Sequence, residues 1–167
     1  MTQEVQRNYL EINSIQDLNK VDEPDGDYSL NLLEPINFQL NKYFYKNIGK
    51  KHKWIDRLVW TEAQWIEYVS NKNIKTYVFK FKDDLAGFFE LISHGKKKEV
   101  EIAYFGLLEE FQNKKLGSYL LSQAIQRSFN GGIDRVWVHT CSLDHKNALN
   151  NYIARGMKIF KTEIVLV

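Results

Sequence analysis

The segment from Glu99 to Gly132, "EVEIAYFGLLEEFQNKKLGSYLLSQAIQRSFNGG", contains a strand, a polar loop and a helix in succession. Residues 99–108 are rich in β-branched and aromatic side chains, which is typical of a strand. Leu116, Leu120 and Ala124 then recur at helical spacing, and the two glycines at 131–132 end the pattern. The segment therefore predicts a strand over 99–108 followed by a helix over about 116–129.

The flanking segments extend this unit into a sheet. The stretches 76–81 and 86–93 also read as strands, and the turns that separate them from each other and from 99–108 have hairpin lengths. A further strand over 134–140 follows the helix, so the two strands joined by this crossover should run parallel. A helix over about 145–154 and a strand from Lys158 close the chain. We expect an antiparallel meander joined to one parallel pair.

The amino-terminal half adds strands and helices to this sheet. Residues 9–12 and 28–33 read as short strands. A helix should begin with Pro35 in its first turn and stop at Gly49, and a second should begin at Thr61, which has capping-box spacing with Gln64. The predicted fold class is α/β (α+β), with a mixed, mostly antiparallel central sheet of about six to seven strands and helices on both faces.

Composition limits the classes of protein to consider. The 167 residues are enough for one domain, with 44% hydrophobic and 14% aromatic residues. The first residues do not resemble a signal peptide, and no apolar run approaches the roughly 20 residues of a membrane span, so we expect a soluble, cytoplasmic protein. A net charge of +2 argues against nucleic-acid binding. Cys141 is the single cysteine and the four histidines lack ligand spacing, which predicts no metal.

The polar loop between strand and helix has the properties of an anion site. The first N–H groups of a helix are free, and the helix dipole adds positive charge at that end. Here Lys114 and Lys115 add charge, Gly117 permits close approach of the backbone to a ligand, and Ser118 adds a hydroxyl. Neither a Walker nor a Rossmann glycine pattern is present, and an ordinary basic loop is the alternative interpretation.

Two motifs in register resemble the GNAT superfamily of acyl-CoA N-acyltransferases. The loop from Gln112 to Gly117 is similar to the Gln/Arg-x-x-Gly-x-Gly/Ala phosphate loop of that family, and Ala148, Tyr152 and Gly156 fit its late helix. The order of elements from residue 76 onward is also similar. Four residues depart from the family pattern: Lys115 in place of a loop glycine, His145 in place of Asn, Asn151 in place of Leu, and Met157 in place of Phe.

The resemblance implies where coenzyme A would bind. The main chain near Phe105, Leu107 and Leu108 would pair with the pantetheine arm, and Gly106 suits a bulge or a close ligand approach. His145 would lie near the same cleft. The pyrophosphate would lie on the phosphate loop, which consists of Gln112, Asn113, Lys114, Lys115, Leu116, Gly117 and Ser118. At position 115 a side chain either crowds the pyrophosphate or pairs with it through the ammonium.

The same resemblance implies two catalytic residues. Tyr152 aligns with a tyrosine that protonates the departing thiolate, although it also suits an aromatic residue at the core edge. Glu101 has the register of the catalytic glutamate of histone-type members and would accept the ammonium proton. Because Glu99 and Glu101 share one strand face, both also suit a solvent-facing role. For His145, a helix N-terminal position is favoured over a base.

The predicted function is acetyl-CoA-dependent N-acetyltransfer to a primary amine of a small molecule or peptide by direct attack. The alternative is a catalytically silent acyl-CoA-binding module; RNA binding through the basic 42–57 stretch is a remote third. We expect one domain over 1–167, in which 1–75 forms the acceptor side and 76–167 the CoA-binding core. The expected partners are acetyl-CoA and an amine, with no metal, nucleic acid or membrane, in a monomer or homodimer. Aromatic residues near Trp54, and Asp56 and Glu62, leave the acceptor's charge open.

Overall fold

The computed structural model describes residues 2–167 and arranges them as seven strands and four α-helices. The predicted fold class is confirmed. The strands are β1 (Glu4–Ile12), β2 (Tyr28–Leu32), β3 (Ile74–Phe81), β4 (Asp84–His94), β5 (Glu99–Leu107), β6 (Arg135–Cys141) and β7 (Lys158–Leu166). The helices are α1 (Phe38–Gly49), α2 (Glu62–Ser70), α3 (Leu116–Ser128) and α4 (Ala148–Ala154). None of the helices in residues 2–167 has the length and apolar character needed to cross a membrane.

One sheet contains all seven strands that the structure describes, in the order β2-β3-β4-β5-β6-β1-β7. The predicted meander β3-β4-β5 is antiparallel, and β5 and β6 form the predicted parallel pair. The sequence did not predict the position of β1, which lies between β6 and β7 and is antiparallel to both. Leu10 faces Val138 of β6, and Arg7 faces Glu163 of β7. The two ends of the described chain therefore complete the same half of the sheet.

Helices cover both faces of the sheet. On one face, the Phe44 ring of α1 stacks on Phe88 of β4 with ring centroids 4.8 Å apart. On the other, Tyr119 of α3 lies 6.0 Å from the Phe79 ring of β3. Four apolar α3 residues are completely buried, because the apolar stripe read from the sequence faces the sheet. They are Leu120, Leu121, Ala124 and Ile125.

The starts of two predicted helices were wrong. Helix α1 begins at Phe38 and not at Pro35, because the Asn37 side chain accepts a hydrogen bond from the Gln39 N–H and caps the helix there. Helix α4 begins at Ala148 and not at His145. The His145 carbonyl instead accepts the Ala148 N–H in a turn that precedes the helix. Both helices are therefore shorter than their apolar patterns.

Gly106 is not at the predicted bulge. The register between β4 and β5 shifts at Ala103, which is left without a partner between Ile102 and Tyr104. At Gly106 a Cβ would lie 2.7 Å from Cγ2 of Ile48. Glycine at this position therefore allows α1 to pack directly against β5.

Candidate active site

The parallel strands β5 and β6 separate shortly after they meet. Their pairing covers three residue pairs and ends at Glu101 and Trp137. Beyond this point β5 continues to Leu107 and remains paired with β4, while β6 continues to Cys141 and remains paired with β1. The sheet is thus split by a wedge-shaped cleft, in which the edge of β5 from residue 102 onward offers unpaired main-chain groups on one side.

A cavity of about 1110 Å³ occupies this cleft. It exceeds the usual range for small-molecule sites of roughly 300–1,000 Å³ and suits a long ligand together with a second molecule. Most of the predicted site residues line it: Glu101, Phe105, Leu107, Gln112, Asn113, Lys115, Gly117, Ser118, His145 and Tyr152. The described residues Leu108, Lys114 and Leu116 lie outside its lining.

The three predicted residues outside the lining have other partners. The Leu108 N–H donates to the Ala86 carbonyl at 2.8 Å, and its side chain is buried. Leu116 is part of the hydrophobic core. The Lys114 ammonium lies over the Phe111 ring, 5.7 Å from its centroid. These contacts direct the three side chains away from the cleft.

The phosphate loop has a backbone suited to anions. Asn113 and Lys115 both adopt left-handed conformations, with φ of 62° and 63°. Such turns direct successive N–H groups toward one concave surface. No side chain of residues 2–167 caps the amino terminus of α3, whose N-cap residue is Lys115. The first-turn N–H groups of α3 thus face the cleft without a side-chain acceptor.

Two side chains fix the shape of the loop. The Gln112 amide donates to the Leu107 carbonyl at 3.1 Å, and the Ser118 hydroxyl donates to the Lys115 carbonyl at 3.0 Å. The left-handed backbone explains why a glycine would suit position 115, since this conformation is roughly 1–2 kcal/mol less favourable for a residue with a Cβ. Lys115 keeps that conformation and leaves its ammonium exposed at the edge of the cavity.

Gly117 is not required by packing within the protein. A Cβ there would meet the Asn151 Nδ2 and the Leu107 Cδ1, both at an ordinary distance of 3.8 Å. The Asn151 amide also donates to the Gly117 carbonyl at 3.2 Å, which connects α4 to the loop. The absence of a side chain at 117 therefore leaves space on the cleft side of the helix terminus.

Tyr152 lies on α4 with its ring centroid 6.4 Å from that of Phe105 on β5. Only 6% of the residue is exposed, although it contributes to the cavity wall. Burial raises the pKa of the Tyr152 phenol well above its ordinary value, and the charge of Asp144 raises it further. The phenol is therefore protonated at neutral pH and can act only as a proton donor.

Glu101 lies at the closed end of the cleft, where β5 and β6 part. Its carboxylate is 3.1 Å from Nε2 of His94, and its side chain is 18% exposed. Glu99, on the same strand face, is instead paired with Arg135 at 3.2 Å and does not line the cavity. The two glutamates are both partly buried and paired, and only Glu101 faces the cleft.

Three consecutive residues between α1 and α2 bridge the open end of the cleft. The Lys51 ammonium contacts the Glu109 carboxylate at 2.6 Å, beside the phosphate loop. Nδ1 of His52 lies 3.0 Å from the Leu143 carbonyl, in the turn after β6. The Lys53 ammonium donates to the Gln3 side chain at 3.0 Å. This bridge, residues 51–53, connects the β5 side of the cleft with the β6 and β1 side.

The part of the cavity wall that lies between α1 and α2 in the chain is built around a buried arginine. The Arg57 guanidinium lies between the rings of Tyr68 and Tyr104, 4.1 Å and 4.2 Å from their centroids. It also bonds to the completely buried Glu90 at 3.0 Å and 3.3 Å. Trp54 packs against Tyr104 at 4.8 Å and contributes to the cavity. Asp56 lines the cavity as well, whereas Glu62 does not.

Arg7 and His139 are among the residues of the cavity wall that sequence reasoning missed. His139 lies two residues beyond Trp137, the last residue of β6 that pairs with β5, and strand alternation would have indicated it once the split was known. Arg7 reaches the cleft because β1 inserts beside β6, which no local pattern signalled. Among residues 2–167, no group of three or more His, Cys, Asp or Glu side chains is arranged to hold a metal ion.

Residues 36–157 match the family model of the acetyltransferase (GNAT) family. No curated protein matches the chain. Among solved structures, a GCN5-related N-acetyltransferase from Sphaerobacter thermophilus has a TM-score of 0.73 at 13% identity, over 97% of this chain and 50% of its own. An acetyltransferase from Bacillus subtilis in complex with CoA has a TM-score of 0.59 at 21% identity, over 80% of this chain and 78% of its own.

An aminoglycoside acetyltransferase from an uncultured soil metagenomic sample has a TM-score of 0.65 at 14% identity, over 80% of this chain and 90% of its own. At such identities these likenesses establish a shared fold. The chain spans between 50% and 62% of the length of four of the matched structures, including the protein from Sphaerobacter thermophilus.

Proposed function

Because this chain belongs to the GNAT acetyltransferase family, we propose that it is an acetyl-CoA-dependent N-acetyltransferase acting on a primary amine of a small molecule or peptide. The observation that carries the proposal is the split between β5 and β6, which opens beside the free N–H groups that begin α3. A diphosphate and an extended amide arm need these two features side by side.

The residues present fit coenzyme A as a substrate. Its pyrophosphate would bind the loop N–H groups between Gln112 and Ser118, where Gly117 leaves space and Lys115 offers a positive charge. Its pantetheine arm would follow the open edge of β5 near Phe105. The thioester would then lie near Tyr152, which packs close to Phe105.

The reaction requires a neutral amine, a held carbonyl and a proton for the leaving group. The ammonium first loses one proton, and its nitrogen then forms the C–N bond at the thioester carbonyl. When the C–S bond breaks, the sulfur takes the Tyr152 hydroxyl proton. The phenolate recovers a proton from the acylated nitrogen through water. The products are an amide, the CoA thiol and one released proton.

Glu101 contributes charge at the closed end of the cleft. Its carboxylate is bonded to His94 and faces the cavity, so it would attract a cationic amine toward the thioester. The acids at positions 101 and 56 support a cationic acceptor in the same cavity, with Trp54 and Tyr104 as its apolar wall.

Thiol release from acetyl-CoA in the presence of a panel of amines tests the proposal. We expect turnover with at least one amine and stabilisation of the protein to heat by CoA. Tyr152→Phe should lower kcat by about 10²-fold or more, since general acid catalysis contributes roughly 10²–10⁴-fold. Its Kd for CoA should stay within about twofold of the wild-type value. Absence of heat stabilisation by CoA would contradict the proposal, and tight binding without turnover on any amine would favour an acyl-CoA-binding module.

A further inference from the structure

His139 occupies a special position at the closed end of the cleft. Its strand, β6, is paired with β5 only as far as Trp137, and His139 follows two residues later. The residue of β5 that pairs with Trp137 is Glu101, which lines the same cavity as His139. The imidazole therefore lies at the point where the two strands part, next to where an attacking amine would reach a thioester held along β5.

Residues from β1 surround the imidazole on its other side. The Tyr9 ring lies 5.5 Å from the His139 ring, and its hydroxyl donates to the Glu163 carboxylate of β7 at 2.6 Å. Arg7, two residues before Tyr9 on β1, lines the cavity. The charged groups that face His139 are thus Arg7 from β1, Glu101 from β5, Asp144 from the turn after β6, and Glu163 from β7.

All three acids near His139 have other partners. Asp144 accepts hydrogen bonds from the Thr140 hydroxyl and from the Cys141 N–H. Glu163 accepts from Tyr9, and Glu101 is bonded to His94. No carboxylate in residues 2–167 forms an ion pair with His139, which leaves the imidazole without a fixed counter-ion.

These surroundings favour a neutral imidazole. Partial removal from bulk water lowers the pKa of His139 most, and the positive charge of Arg7 lowers it further; Glu101, Asp144 and Glu163 oppose this shift. A histidine with a depressed pKa is neutral at pH 7 and has a ring nitrogen able to accept a proton. His139 is solvent-exposed and lines the cavity, so its imidazole is accessible to an incoming amine.

We propose that His139 is the proton acceptor for the incoming ammonium group, whereas Glu101 attracts the cation into the cleft. This inference rests on the proposed N-acetyltransferase function. One ring nitrogen of His139 takes a proton from the ammonium and forms an imidazolium, and the amine keeps the electron pair with which it attacks the thioester carbonyl. The imidazolium then releases its proton to water, which completes the cycle.

The protonation state can be measured without turnover. Two-bond ¹H–¹⁵N correlation spectra of the histidine-labelled protein give a titration curve for each imidazole, assigned by His→Gln replacements. We expect His139 to titrate below the ordinary value of about 6.5. Arg7→Met should raise its midpoint and Glu101→Gln should lower it, because the two charges act in opposite directions. Glu99→Gln, on the same strand face but outside the cavity, should leave it unchanged. A midpoint at or above the ordinary value overturns the inference.

Kinetics of the full chain test the catalytic role. With an amine identified from the panel, His139→Gln should lower kcat by about 10²-fold or more and remove the acid limb of the kcat/KM profile. The Kd for CoA should stay within about twofold. Glu101→Gln should chiefly raise the KM of the amine and keep the acid limb. Full turnover by His139→Gln would overturn the inference. Loss of the acid limb only in Glu101→Gln would also overturn it and would assign the proton acceptor to Glu101.

The two proposals fail in different ways. A wild-type protein that binds CoA and acetylates no amine would overturn the proposed function, and the catalytic role of His139 with it. A wild-type protein that acetylates an amine with an acid limb that His139→Gln does not alter would overturn the role of His139 alone.

Discussion

The buried pair formed by Arg57 and Glu90 should contribute strongly to the stability of the protein. Glu90 is completely buried and accepts hydrogen bonds from Arg57, from the Tyr68 hydroxyl at 2.8 Å and from the Asn41 amide at 3.0 Å. Arg57→Met would keep much of the apolar contact with the rings and leave a buried carboxylate without its cation. Removing one partner of such a pair costs roughly 3–5 kcal/mol. For a chain of this size, 1 kcal/mol corresponds to about 2–4 °C in Tm, so the Tm should fall by roughly 6–20 °C.

Thermal and urea unfolding measure this loss. Arg135→Met is a matched control, because Arg135 pairs with Glu11 and Glu99 but keeps a side-chain exposure of 25%; it should cost less than about 1 kcal/mol. The double variant Arg57→Met/Glu90→Met should recover part of the loss, since no buried charge remains. A cost below about 1 kcal/mol for Arg57→Met, or a double variant as unstable as the sum of its parts, would refute the reasoning.

Three further predictions concern the cofactor side of the cleft. Lys115→Met should weaken CoA binding about fivefold at low salt and less at high salt, because it removes an exposed charge worth roughly 1 kcal/mol. Calorimetry at two salt concentrations measures this change in affinity. Lys114→Met is the control, because Lys114 lies outside the cavity lining. Gly117→Ala should leave the free energy of unfolding unchanged or raise it by up to about 1 kcal/mol, because its Cβ fits the protein. The same substitution should weaken CoA binding more than about tenfold, because the Cβ occupies the ligand's space. Equal binding by Gly117→Ala would show that no ligand approaches the loop there. Since burial raises the pKa of Tyr152, the phenol should stay protonated and turnover should not fall between about pH 8 and 10; an alkaline limb that disappears in Tyr152→Phe would contradict this.

Local patterns predicted the elements around the cleft well. The strand, loop and helix over 99–128 follow from strand composition, polar residues and a helical apolar stripe, all of which act over short distances. The helix starts failed where a short-range competitor acted. At Asn37 a capping side chain took precedence over Pro35, and the turn at His145 delayed the start of α4.

The remaining features depend on contacts between distant parts of the chain. The sequence suggested a bulge or a close ligand approach at Gly106. In the structure, a side chain at this position would collide with Ile48, which is far away in sequence. The left-handed backbone at Lys115 could not be read from a lysine, because that side chain does not favour it. His139 and Arg7 enter the cavity wall only because the sheet splits at Trp137 and β1 inserts beside β6. Strand order in a sheet is decided by tertiary packing and not by local propensity.

The insertion of β1 between β6 and β7 has a consequence for biosynthesis. Residues 4–12 are synthesised long before residues 135–141 and 158–166, which form both of their neighbours in the sheet. Non-local strand pairing of this kind is slow, because the entropy of closing a long loop is lost before the stabilising contacts form. The part of the sheet that carries Arg7 therefore forms only after β6 has been made, and β1 should expose its outer edge to chaperones until β7 has been made as well.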